Sequence, residues 1–294
     1  MTATTTITSS ESESATDRRP QPKRLNVGRL ITWFGLAIGT VAMFFPIYWL
    51  IVTAFIPNSD AIARDVDLLP DRLTNENFSD GWSDFQWTRW YRNSIFITVM
   101  RVGITVPINL LAGYTFAKFA FRGSKTLFFV IIATLTLPIQ VILVPRFLIV
   151  NELGLVDSPW GVILPFAAEA FGIFFVRQFM VSIPDEILEA ARIDGASEFR
   201  IFREIVVPLS KPAIGVLTIL TFLWTWNNFA WPLVVLTSQE NYTVTLGLNA
   251  MQGFNNTEWS PIMAMATLSL IPVLLVFLLF QKYFVQGIAR TGIK

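Results

Sequence analysis

The chain has no cysteine and no histidine. The first absence removes disulfides, thiolate metal sites and thiol nucleophiles. The second removes imidazole ligands and the Ser-His and Cys-His couples of nucleophilic catalysis. None of the 16 glycines is followed by lysine, so the phosphate loop G-x-x-x-x-G-K-[ST] does not occur, and Gly123-Ser124-Lys125-Thr126 is only a superficial look-alike. If ATP drives this protein, another chain binds it. Charge is scarce too. Charged residues are 15% of 294, apolar residues 53%, and mean hydropathy is +0.54. That is the composition of a polytopic membrane protein rather than a soluble domain. The net charge of +1 says little about partners, but its distribution says more.

Residues 1–26 are Thr, Ser, Glu, Arg and Pro with almost no large apolar side chains, and read as a disordered cytoplasmic tail. The apolar run after it, 29–56, is far longer than the core of a signal peptide. A span needs about 20 apolar residues. Six stretches qualify: 29–56, 93–117, 125–149, 160–181, 212–236 and 262–285. The expected fold is all-α, with six transmembrane helices in a domain covering 27–294. Segments 57–92 and 237–261 are long polar loops, the second holding Asn255, Asn256 and Trp259, while 118–124 and 150–159 are short connections.

Lysine and arginine set the orientation. With the N-terminus inside, the inside segments hold Arg18, Arg19, Lys23, Arg24 and Arg29, then Lys118, Arg122 and Lys125. They also hold Arg177, Arg192, Arg200, Arg203 and Lys211, then Lys282, Arg290 and Lys294. The outside loops hold only Arg64, Arg72, Arg89 and Arg92. Both termini are therefore expected in the cytoplasm, with 182–212 on the same side.

Stretch 182–212, SIPDEILEAARIDGASEFRIFREIVVPLSKP, is polar between two apolar runs and spells helix, break, helix. Ser182 with Asp185 fits an N-terminal capping signal, with Pro184 in the first turn. Ile187, Leu188 and Ala191 are expected on one face. Gly195 can end the helix in a left-handed conformation. Ser197 can cap a second helix with Phe199, Phe202 and Val206 on one side. Pro208 and Pro212 close the segment.

The same stretch carries a family resemblance. Glu189-Ala190-Ala191, three residues, Gly195, nine residues, then Ile205-x-Val207-Pro208 resembles the EAA loop of ABC importer permeases, with valine where leucine is usual. Other segments resemble the MalG-like subunit of the carbohydrate uptake class. They include Phe45-Pro46-Ile47-Tyr48-Trp49, Tyr114-x-Phe116-Ala117-Lys118-Phe119, Trp226-Asn227-Asn228-Phe229 and Gln281-Lys282-Tyr283-Phe284 with a final Gly292-x-Lys294. The resemblance implies a type I importer permease fold with cytoplasmic coupling helices in a bacterial-type inner membrane. It implies a carbohydrate solute, sugar or glycerol-3-phosphate-like, moved by alternating access. It also implies a second, MalF-like permease, two copies of a cytoplasmic ATPase, an external solute-binding protein, and no nucleic acid. No cofactor is expected in this chain, since ATP and Mg belong to the ATPase. Glu189, Ala190, Ala191, Asp194, Gly195, Phe199 and Phe202 would form the ATPase contact. The two alanines allow close approach, Gly195 allows reversal, and Glu189 and Asp194 offer charge to a basic partner.

Charges inside spans are costly, hence usually paired or functional. Arg101, Arg146 and Glu169 stand out. The plainer reading is that Arg146 snorkels outward while Arg101 snorkels or pairs with Glu169. The functional one is that Glu169 or Arg146 lines the substrate path. Asn227 and Asn228, among Trp224, Trp226 and Trp231, are sugar-path candidates or, equally, interface and helix-packing residues. Pro138, Pro145, Pro165 and Pro272 mark kinks. The competing function is a stand-alone secondary transporter or channel. It would need midplane coupling groups and would be supported by an inverted repeat. No repeat is evident, and one acidic residue lies within a span. Nothing in the sequence names the solute.

Overall fold

The computed structural model describes residues 27–61, 70, 72–253 and 257–291. The expected tail 1–26, Arg64, Asn255, Asn256, Gly292 and Lys294 lie outside them. All regular structure among the described residues is helical. Three helices are long and apolar enough to cross a membrane unbroken, over Ile31–Ala54, Trp87–Lys118 and Trp259–Tyr283. Three bent pairs bring the count to six if each is one crossing. The first and last of these helices run over Val27–Ala54 (α1) and Trp259–Thr291. Of the described residues, 27–47 belong to a unit of their own, in which the Thr32 and Thr40 hydroxyls donate to carbonyls four residues back.

The breaks correct the expected third to fifth spans, which are not single straight helices. Ser124–Thr136 and Ile139–Glu152 meet at 109°. Pro138 sits at that corner and leaves Leu137 extended (φ −78°, ψ 122°), because a proline disfavours helix at the residue before it. Pro159–Phe166 and Ala170–Val181 meet at 42°, with Glu169 extended between them. Lys211–Trp226 stops at Asn227, and a separate short helix, Ala230–Val235, follows, with the Asn228 side chain accepting the Trp231 N–H. Two boundaries also differ. The second span starts at Trp87, and the polar stretch 237–261 contains the helix Val244–Ala250. Trp87, Trp90 and Gly247 are buried, so composition alone hid ordered packing there.

Helix Trp87–Lys118, here α2, runs through all three apolar clusters of the core. Trp87 and Trp90 pack with Val244, Ile262 and Met265 at its start. Ile97 packs with Val162, Ile163, Phe166 and Trp231 in the middle. Val106, Leu110 and Tyr114 pack with Val176, Met180, Leu188, Ile201 and Leu217 at its end. Thirty-two residues at 1.5 Å each make α2 about 48 Å long, enough to cross a bilayer and bind structure on both sides. Gly172 lets the fourth span approach closely: Asn109 of α2 occupies the space a Cβ would fill.

Candidate functional site

At the end of α2 stands a helical knob. Its first helix, Asp185–Ile193 (α3), ends as the sequence predicts. Gly195 takes φ +81°, the Gly195 N–H donates to the Arg192 carbonyl and the Ala196 N–H to the Ala191 carbonyl, both at 3.0 Å. These are the two bonds of a Schellman cap. Ser197 then accepts the Arg200 N–H and starts Glu198–Ile201 (α4). Helical winding continues as a π turn, Phe202–Val206, and Val207–Leu209. The start of α3 is a correction: Pro184 is its N-cap, and the Ser182 hydroxyl donates backward to the Phe179 carbonyl at 2.6 Å.

The knob has two sides, and they divide the expected faces differently from the sequence reading. Leu188, Ile201 and Val206 are buried against α2 and the fourth span, with Ala191, Ala196 and Phe202 packed behind them. Phe202 lies on Tyr114, ring centres 5.4 Å apart. Ile187 does not join Leu188 and Ala191, and Phe199 does not join Phe202 and Val206; both are exposed. One helical turn advances 3.6 residues, so neighbours in sequence sit about 100° apart and the narrow inner stripe cannot hold them all. The outer side shows Ile193 at 86% and Phe199 at 69% exposure, with Glu189, Ala190 and Asp194 also open.

The knob is braced by ion pairs and hydrogen bonds that the sequence reading did not foresee. Lys118, the last residue of α2, donates to the Ile183 carbonyl at 2.5 Å and pairs with Asp185 at 2.6 Å. Arg192 and Glu198 pair at 2.7 Å across the Gly195 reversal, and the Tyr114 hydroxyl reaches Glu198 at 3.5 Å. The Arg192 hydrogen bond holds the Glu198 carboxyl below the usual carboxylate range. Arg200 and Arg203 both pair with Glu204. Among the described residues this leaves Glu186 and Glu189 of α3, and Asp194 just after it, as exposed carboxylates without an ion pair.

Within the membrane segment, α2 presents Arg101, Thr105 and Asn109 at four-residue spacing, one stripe of one face. The stripe meets the break in the fourth span. Thr105 donates to the Phe166 carbonyl at 2.9 Å, Asn109 accepts the Glu169 N–H at 3.1 Å, and Arg101 pairs with the Glu169 carboxylate. The Thr105 and Asn109 bonds satisfy backbone groups that the break sets free. Pairing, one of the plainer readings of Arg101, is what the structure has. Arg146 lies over the Phe166 ring at 4.3 Å and near Trp231 at 5.6 Å. Asn227 is exposed and donates to the Leu223 carbonyl, while the Asn228 carbonyl accepts from the Thr245 hydroxyl at 2.9 Å. The 101/105/109 spacing was the available signal for the stripe; its target, a broken helix, was not readable.

The start of α2 holds a second ordered region. Trp90 donates to the Gln239 carbonyl at 2.6 Å, Asn93 to the Glu240 and Tyr242 carbonyls, and Ser94 accepts the Val244 N–H at 2.7 Å. Asp157, at φ +58°, accepts the N–H groups of Thr237 and Ser238 and the Ser238 hydroxyl. Partial burial works against its ionisation, but these bonds outweigh that and hold the carboxyl at about 2.

Comparison with known proteins agrees with this architecture. Residues 106–290 match the family described as binding-protein-dependent transport system inner membrane component. The chain is 33% identical over 255 residues to the arabinooligosaccharides transport system permease protein AraQ of Bacillus subtilis, covering 85% of this chain and 90% of that protein. It is 32% identical over 275 residues to the sn-glycerol-3-phosphate transport system permease protein UgpE of Agrobacterium fabrum, covering 90% and 97%. The crystal structure of a bacterial ABC transporter involved in the import of the acidic polysaccharide alginate superposes with a TM-score of 0.80 at 26% identity, covering 90% of this chain and all of that one. The chain thus belongs to the binding-protein-dependent transport system inner membrane components: it is a permease subunit of an ATP-driven ABC importer, with no catalytic step of its own.

Proposed function

We propose that this permease moves a carbohydrate, delivered by an external solute-binding protein, through a path it shares with a second, MalF-like permease subunit. Two copies of a cytoplasmic ATPase bind ATP and Mg and drive alternating access. Both termini and the knob lie in the cytoplasm, and the region around Asp157 and 237–250 faces out, as the lysine and arginine distribution supports. The single observation that carries the coupling reading is the two-sided knob. Its inner side is locked onto α2 through Leu188, Ile201 and Lys118, while Ile193 and Phe199 stand bare on its outer side. A partner that covers those side chains gains about 1.5–3 kcal/mol for each one fully buried. Its pull on the knob reaches the membrane through α2. Glu186, Glu189 and Asp194 suit a basic edge on that partner.

The test is purification followed by reconstitution. The tagged permease should bring down an ATPase and a second permease, and vesicles holding the assembly should accumulate sugar only with ATP and the binding protein. Sugar uptake by the purified chain alone would instead establish a secondary transporter.

A further inference from the structure

Arg146 is half-buried on the broken third span, against the Phe166 and Trp231 rings, and no carboxylate or carbonyl among the described residues accepts its N–H groups. A second guanidinium, Arg101, sits 4.1 Å from the centre of the same Phe166 ring. The one carboxylate of this cluster, Glu169, is taken by Arg101. Two cations and one anion leave a surplus positive charge in a low-dielectric setting, where a missing counter-ion is felt strongly. Beside Arg146 opens a cavity of about 440 Å³, lined by Ile142, Pro145, Ile149, Leu155, Leu164 and Pro165 among others. One oriented polar group in an otherwise apolar wall is how ligand pockets of this size fix their ligands.

The surroundings argue against a lipid phosphate as the missing anion. The third span breaks at Leu137 and Pro138, both on an exposed stretch, and Pro145 withholds the N–H that the Val141 carbonyl would accept, with Val141 64% exposed. Free backbone groups at membrane depth are tolerated against protein or a water-filled cavity, not against lipid. This side of the span therefore fits the translocation path. A neutral sugar would offer hydroxyls to Arg146 but leave the charge surplus. A carboxylate or phosphate accepts two parallel N–H bonds and neutralises it. The apolar wall suits the C–H face of a sugar ring.

We propose that the transported solute carries an acidic group, a carboxylate or phosphate, and that Arg146 receives it in the path. This rests on the importer reading above and narrows its substrate class. The test uses the complete importer in vesicles with its binding protein and ATP. It compares uptake of a uronate-containing oligosaccharide and a polyol phosphate with a neutral, carboxyl-reduced oligosaccharide. The wild type should favour an acidic probe. Arg146→Gln should lower the acidic-to-neutral uptake ratio roughly tenfold or more, and Arg146→Lys should restore part of it. If Arg146→Gln does not insert, the wild-type and Arg146→Lys ratios decide. Uptake of the neutral probe alone, or an unchanged ratio in Arg146→Gln, overturns the proposal while leaving the importer reading intact. Loss of the second permease on purifying Arg146→Gln would assign the cation to a subunit contact. An effect seen in phosphatidylglycerol vesicles and absent in phosphatidylcholine would assign it to a lipid headgroup. Either also overturns the proposal. Failure of any probe to enter with ATP would sink both readings.

Discussion

Helix α2 is attached differently at its two ends. At its start, polar side chains hold backbone: Trp90, Asn93 and Ser94 grip 239–244, and Asp157 staples 237–238. The apolar side chains there, Trp90, Val244 and Leu246, are buried. At its end, Lys118 and Tyr114 brace a knob whose outer apolar side chains remain bare. The first region is finished within one chain. The second is rigid where it meets α2 and unfinished where it points away. A rigid base with an open tip is what transmission of force from a separate subunit requires.

The comparison can be broken first at what both ends share, the middle of α2. Arg101→Ala should cost roughly 3–5 kcal/mol of stability, because it strands the Glu169 carboxylate. Replacing both residues by methionine should recover much of that, read as thermal unfolding in detergent. A neutral single mutant would mean that the pair does not hold the fourth span. At the knob, Gly195→Val puts a β-branched residue at φ +81°, where an L side chain costs about 1–2 kcal/mol and a β-branched one more. No atom lies within 4 Å of the added Cβ, so the cost is backbone strain alone. We expect uptake to fall severely with insertion unchanged, and Gly195→Asn to fall less.

At the opposite end, Asp157→Ala removes three hydrogen bonds to a carboxylate and should cost about 1.5–3 kcal/mol, seen as faster protease cleavage near 237–241. A folded carboxyl at about 2 lies below its unfolded value near 4. Its contribution is therefore complete above that unfolded value and is lost as pH falls toward 2. Protection of the loop should hold from neutral pH to about 4, then decline, and Asp157→Asn should remove that acid dependence. The smallest effect belongs to the knob surface. Arg200→Ala and Arg203→Ala, which break exposed ion pairs with Glu204, should each leave thermal unfolding nearly unchanged.

Residue chemistry made the knob legible because its signals are local. Gly195 and Ser197 act within one turn of themselves, and both adopt the expected geometry. Which side chains face inward was not legible, because it depends on α2 and on a π turn that shifts the register after Ile201. The spans were legible as apolar runs, but their bends were not. Pro138 announced one, while the extended Glu169 is held by Asn109, sixty residues earlier. The 237–250 region read as polar loop because its order comes from contacts with Trp90, Asn93, Ser94 and Asp157, far away in sequence.

The central claim is that the bare side of the knob is the ATPase contact. Because the chain has no cysteine, single cysteines can be placed at Ile193 and Phe199 on that side, and at Ala196 on the inner side as a control. In membranes holding the assembled importer, Ile193→Cys and Phe199→Cys should cross-link to cysteines in the ATPase, and adding ATP should change the yield. Ala196→Cys should cross-link much less. Equal cross-linking from all three positions, or none from Ile193 and Phe199 in an importer that still transports, would contradict the account.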